Sequence, residues 1–233
     1  MEENRFFKLV WRFNGLIISV AGVLAIGMLI FFSYKLLTTL TRERNTRNTV
    51  NIEENTEIRE NWRLGTILAV DNAKTLIIPL HSNQRFEGSY YNKAASSTRN
   101  YLFINTDTFK EKWLFDHTNY LIERSDRLKQ GDRNSKEPVI AILYQLVKLD
   151  SDQDNRLSAA DLSTIAITRP DGSDYKELIT EVQSITNHIV LNETELFLFY
   201  KKDNASYSAI INLKKGQVMK TNQVPAIGSE RRI

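Results

Sequence analysis

The chain has 233 residues, with 31 Lys and Arg against 28 Asp and Glu, a formal charge of +3 and no cysteine. The missing cysteine excludes a disulfide framework, thiol catalysis and cysteine-ligated zinc or iron–sulfur centres. A small net charge spread without a basic patch argues against nucleic acid as a partner, and the widely spaced His81, His117 and His188 offer no multi-histidine metal site.

Residues 14–34 (NGLIISVAGVLAIGMLIFFSY) carry no charge. As a helix this run spans the roughly 30 Å hydrocarbon core of a bilayer. A cleaved signal peptide would place small residues just after a shorter apolar core; here the run continues through Phe31, Phe32 and Tyr34 into Leu36 and Leu37. The expectation is an uncleaved transmembrane helix over 14–37, with residues 1–13 as a cytoplasmic tail. Arg5, Lys8 and Arg12 before the span nearly balance Lys35, Arg42, Arg44 and Arg47 after it, so the positive-inside count decides little. The short tail with Phe6, Phe7 and Trp11 beside basic residues favours an inner-membrane protein with a cytoplasmic amino terminus. The large domain then lies in the periplasm. Within the span Gly15, Ser19, Gly22 and Ala25 keep to one side at steps of four, three and three. Small residues are common in such helices, but this spacing also makes a packing face for another copy or for an integral membrane partner.

Residues 38–61 are rich in Asn, Thr, Glu and Arg and read as a polar linker or helix extension. From Trp62 to residue 220 the pattern is mainly β, an extracytoplasmic sheet domain of open, blade-like hairpins. RLGTILAV (63–70) and TLIIPL (75–80) flank a turn, and Pro79 predicts an edge strand. Residues 82–98 read as a polar loop. NYLFIN (100–105) pairs with KWLF (112–115), and residues 119–127 are ambiguous. VIAILYQLVKL (139–149) and STIAIT (163–168) flank an acidic segment, and RPDGSD (169–174) is a turn. LFLFY (196–200) pairs with YSAIINL (207–213), and the tail past Val218, above all 221–233, is expected to be flexible.

Asp150, Asp152, Asp154 and Asp161 stand at positions 1, 3, 5 and 12 of a twelve-residue loop. A hard cation takes six to eight oxygens, and a tight loop with acids at alternate positions aims them inward. Arg156 at position 7 supplies a backbone carbonyl and Ser158 at position 9 a hydroxyl, directly or through water, while Leu157 at position 8 packs into the domain. The alternative is a solvated acidic loop; the spacing favours Ca2+ in a structural role. The loop 150–161 resembles EF-hand calcium loops, and more closely the dockerin type that ends in Asp. It departs from them at Asn155, where Gly is usual, and at Asp161, a shorter arm than Glu. Asn tolerates the left-handed turn that position needs.

Two further resemblances concern the fold. NYLFINTDTFKEKWLF, STIAITRPDGSDYKELI and LFLFYKKDNASYSAIINLKKG repeat one scheme of strand, polar turn and strand, which resembles the blades of periplasmic propeller proteins. Four or more blades close a propeller, and this chain has room for two or three, so an open edge calls for a partner. The chain is also similar to single-pass membrane-anchored bacterial proteins that carry such a loop ahead of a Thr/Ser-Arg-Pro-Asp-Gly turn, here 168–172. No Gly-rich phosphate loop, serine elbow or HExxH motif occurs, and Asp107, Glu111 and Asp116 read as solvated turn acids. The resulting expectation is a non-enzymatic accessory or assembly subunit of a membrane complex, homo- or hetero-oligomeric. Alternatives are a calcium-responsive tethered sensor and, less favoured, an enzyme whose site is assembled from distant residues.

Overall fold

The structure is a computed structural model that describes residues 5–41, 48–52, 59–70, 73–85, 95–131 and 137–225. The chain divides after Asn45 into an amino-terminal unit and a larger one. The first is a single helix, α1 (Arg5–Thr41). Within it the 25 residues Val10–Tyr34 are long and apolar enough to cross a membrane, and none of them is buried within the chain. At 1.5 Å per residue they extend about 37 Å. The Ser19 hydroxyl donates to the Gly15 carbonyl one turn back (2.8 Å), which satisfies the polar side chain inside the helix.

The second unit is a stack of three antiparallel sheets plus a two-residue ribbon. Strand β1 (Val50–Asn51) belongs to the ribbon. The first sheet follows with β2 (Arg59–Leu64), β3 (Leu68–Val70), β4 (Thr75–Arg85), β5 (Ala95–Asn105) and β6 (Glu111–Trp113). The second contains β7 (Leu121–Lys129), β8 (Val139–Val147), β10 (Ser163–Thr168) and β11 (Lys176–Val182), and β9 (Arg156–Leu157) pairs with β1. The third is β12 (Ser184–Asn192), β13 (Glu195–Lys202), β14 (Ala205–Asn212) and β15 (Gln217–Gln223). In each sheet the strands follow one another as a meander. The mainly β fold of blade-like hairpins is therefore as expected.

The second sheet lies in the middle, and its sequence shows why. Every residue of β10 is buried, as are all but one of β8, which is what continuous apolar runs specify when both faces are covered. One face carries Leu128, Leu143, Ile165 and Ile167 against Leu196, Leu198, Tyr200 and Ile211 of the third sheet. The other carries Ile122, Ile142, Tyr144 and Ala166 against Ile77 and Phe103 of the first. The alternating burial of β13 marks a strand with only one covered face.

Pro79 was expected at an edge, yet β4 is central, flanked by β2 and β3 on one side and β5 on the other. A residue in an antiparallel strand directs its N and its C=O to the same side, and the Pro79 carbonyl accepts from Gly65 N–H (2.8 Å). Its missing donor thus falls at residues 65–67, between β2 and β3, where no ladder bond is needed. Two more expectations are corrected. Residues 82–85 and 95–98, read as loop, extend β4 and β5, because paired backbones carry a ladder even through Ser, Asn and Gln. Residues 217–223 form β15 against β14 despite their polar sequence; an edge strand exposes both faces and needs no apolar residues. The expectation for residues 226–233 lies outside the described residues.

The 169–174 turn packs tightly. Gly172 has φ +75°, and a Cβ there would approach the Phe103 ring to 2.5 Å, while Phe103 is itself buried. Gly172→Ala is expected to cost about 2 kcal/mol, read as a lower midpoint in chemical denaturation at unchanged slope.

Candidate metal centre

The loop that joins β8 to β10 is organised by its own side chains. Asp150 Oδ1 accepts from Asp154 N–H (3.1 Å) and Oδ2 from Asn155 N–H (2.7 Å). Asp152 Oδ1 accepts a second bond from Asp154 N–H (3.2 Å). These local bonds turn the chain back on itself, as Asp side chains do. Gln153 and Asn155 adopt left-handed backbone, with φ 60° and 61°. Asn155 therefore takes the conformation expected of position 6. Asn155→Ala is expected to cost about 1 kcal/mol and Asn155→Gly close to nothing, a contrast that paired thermal melts would show.

Asp150, Asp152 and Asp154 each bring one carboxylate oxygen into a group whose members all lie within 4.8 Å of one another. Two ligands of one calcium ion at about 2.3–2.6 Å stand at most about 5 Å apart, so the separation and the hard oxygen chemistry both fit such an ion. The Asp152 carboxyl is held above the usual carboxylate range, first by loss of hydration and then by the neighbouring Asp154 charge.

Asp161 is placed differently from that trio. It is only 2% exposed. Its Oδ1 accepts from Ser151 N–H (2.7 Å), the Ser151 hydroxyl (3.1 Å) and Asp152 N–H (3.4 Å), and its Oδ2 accepts from Ser158 N–H (2.9 Å). Here position 12 closes the loop as an internal acceptor. Arg156 stands in β9 opposite Asn51. The Ser158 hydroxyl accepts from Ala160 N–H (3.1 Å), and its carbonyl accepts from Asp161 N–H (3.2 Å).

What fixes the loop to the domain is a strap that the sequence reading missed. Val50 pairs with Leu157, Asn51 pairs with Arg156, and Ile52 N–H donates to the Asn155 carbonyl (3.0 Å). Val50 and Leu157 are buried together with Leu121 and Val147. This strap falls inside the stretch read as a polar linker; its one signal there is the short apolar–polar alternation TVNI over residues 49–52. Leu157 packs inward as its position predicts.

The remaining candidates lie apart. Asp107 forms an exposed ion pair with Lys74 (2.5 Å), and Glu111 and Asp116 are exposed. His117 stacks on Phe115 with ring centroids 5.6 Å apart. His81 approaches Thr98 (3.3 Å) and is pushed down in pKa by burial and then by the Arg63 charge. His188 lines an open cleft of about 430 Å³ between β7 and β12, together with Asp126, Arg127, Lys129 and Asn187.

No family model matches the chain, and no curated protein matches it in sequence. Among solved structures, the β-propeller domain of the Trilobed protease from Pyrococcus furiosus aligns at 8% identity and TM-score 0.37, over 70% of this chain and 43% of that one. A puromycin hydrolase aligns at 7% identity and TM-score 0.32, over 71% and 30%. A luciferin-regenerating enzyme aligns at 8% and 0.34, over 75% and 63%. The chain thus spans less than two thirds of the length of each. The likeness concerns the sheet architecture. The expectation that this chain is not an enzyme is corrected: two of these structures are enzymes by name, and a fold by itself excludes no activity.

Proposed function

We propose that the protein is a membrane-anchored accessory or assembly subunit of a bacterial membrane complex, whose β domain offers a binding surface stabilised by calcium. The observation that carries this reading is α1, with an apolar stretch Val10–Tyr34 that buries nothing within the chain and so needs lipid or another helix around it. The face of Gly15, Ser19, Gly22 and Ala25 suits close approach of a partner helix, from another copy or from an integral membrane protein. On this reading the amino terminus is cytoplasmic and the sheets lie in the periplasm of a cell with an inner membrane.

Calcium, held by Asp150, Asp152 and Asp154 with help from the Arg156 carbonyl and Ser158, neutralises three crowded carboxylates, and Asp161 shapes the loop that presents them. The resemblance to EF-hand and dockerin loops and the donor spacing support this assignment.

A second reading has its own observation. The strap Val50–Asn51 ties the ion loop directly to the chain that follows the anchor, so loop occupancy can bias that segment, as a tethered calcium-responsive regulator requires.

The test is fractionation of cells expressing the full chain. The protein is expected in membranes after a carbonate wash, with the β domain cut by protease added to spheroplasts and an amino-terminal tag protected. Release by carbonate, or protection of the β domain, overturns the reading.

A further inference from the structure

Among the described residues of the β domain, three sheets stacked face to face leave two faces over, one at each end of the stack. On the third sheet the outward positions carry Ile189 (60% exposed) and Leu191 (47%), with half-buried Phe197, Phe199 and Ile210 between them. Register places them together: Ile189 is opposite Phe197, and Phe197 is opposite Ile210, and directly paired residues share a face. On the first sheet the outward positions carry Trp113 (41%) and Leu64 (55%) around Leu76, Leu80 and Ile104, with Trp113 paired to Leu102 and Leu64 to Leu80. Contiguous apolar surface of this kind marks an interaction site.

We propose that the occupant of each face is a second copy of this chain: the first sheet of one protomer packs on the third sheet of the other, twice over. The proposal deepens the assembly reading above and rests on it. Four arguments favour a copy over an unrelated partner. The two free faces are the missing halves of the same apolar sheet-on-sheet contact that the chain already makes twice internally. Radial sheets of four strands close at four to eight, so three cannot close and twice three can. The charges on the outermost strands match, with Glu111 of β6 flanking one face and Lys220 of β15 flanking the other. Within the chain, outermost strands already meet, as the Lys176 ammonium of β11 reaches the Lys215 carbonyl just before β15 (2.8 Å).

The size is also right. Four strands about 4.8 Å apart and about 24 Å long cover roughly 450 Å², so two faces give about 900 Å² per protomer. A stable interface buries about 800 Å² per partner. The two contacts are related by a two-fold axis, so the assembly closes at two copies and does not grow into a filament.

The absence of native cysteine makes the test direct. Leu64→Cys and Ile189→Cys chains, which carry the thiols on the facing edge strands β2 and β12, each full length and in mild detergent, are treated with a short bismaleimide, separately and mixed. The expected result is a covalent dimer only in the mixture, a detergent-corrected mass of twice 27.0 kDa for the parent, and at least a 100-fold weaker dimer for Ile189→Glu, which places a carboxylate in the apolar contact. Diluted until both are single chains, Ile189→Glu and the parent melt at the same midpoint, because the side chain lies outside the inner core. A covalent dimer from Ile189→Cys alone means that like faces meet, and it overturns the closed pair. A dimer that survives Ile189→Glu is held by the helix: it overturns the sheet contact and leaves the anchored-subunit reading standing. A parent of single-chain mass overturns the inference outright.

Discussion

Asp161→Ala is expected to destabilise the β domain by about 3–4 kcal/mol, equally in calcium and in chelator. The carboxylate is buried and takes four hydrogen bonds, from Ser151 N–H and hydroxyl, Asp152 N–H and Ser158 N–H. Truncation removes the acceptor that these donors share, at about 1.5–3 kcal/mol for each hydrogen bond to a charged group, and water at the exposed Ser151 and Asp152 makes up part of that loss. Against a total stability of about 5–15 kcal/mol, that is a large fraction. Asp161→Asn keeps one acceptor oxygen and should lose about half as much. Chemical denaturation with and without chelator measures both variants. A loss seen only in calcium would make Asp161 chiefly an ion ligand and remove its role as the acceptor that closes the loop.

Calcium is expected to raise the thermal midpoint of the parent, by the equivalent of about 2.7 kcal/mol at a hundredfold excess over its dissociation constant. The double variant Asp152→Asn, Asp154→Asn should invert the order. It retains the Asp150 oxygens that receive Asp154 and Asn155 N–H and removes two of three crowded charges. In chelator it is therefore more stable than the parent, since the fold already disfavours the charged form of Asp152. In calcium it is less stable, because the ion has lost its ligands. Crossing of the two curves separates a metal site from an acidic surface loop, for which neither protein responds to calcium. Magnesium, which demands tighter octahedral geometry and holds its waters, should shift the parent less.

The parts of the fold legible in the sequence are those written in side-chain pattern. STIAIT and VIAILYQLV stood out as apolar runs on either side of the acidic segment, and they are β10 and β8, the strands covered on both faces. The acidic spacing located the trio and the left-handed Asn155. Illegible were the parts written in backbone pairing. Polar β15 needs only β14 as a neighbour. Pro79 is harmless in a central strand only because the adjoining strand breaks opposite it, a fact of pairing and not of local sequence. Val50 and Asn51 looked like linker because two residues cannot display a period, and their partners Leu157 and Arg156 lie more than a hundred positions away. Asp161 shares its residue type and spacing with the other three acids, and only the burial of its surroundings distinguishes its role.

The central claim is that one apolar helix holds a sheet-rich body at a membrane, where that body engages other subunits. Native mass spectrometry of the full chain released from membranes in mild detergent tests it most directly. The expected spectrum shows the 27.0 kDa chain, helix included, within a larger complex, whether with its own copies or with other proteins. A lone, water-soluble species trimmed beyond Tyr34 would contradict it.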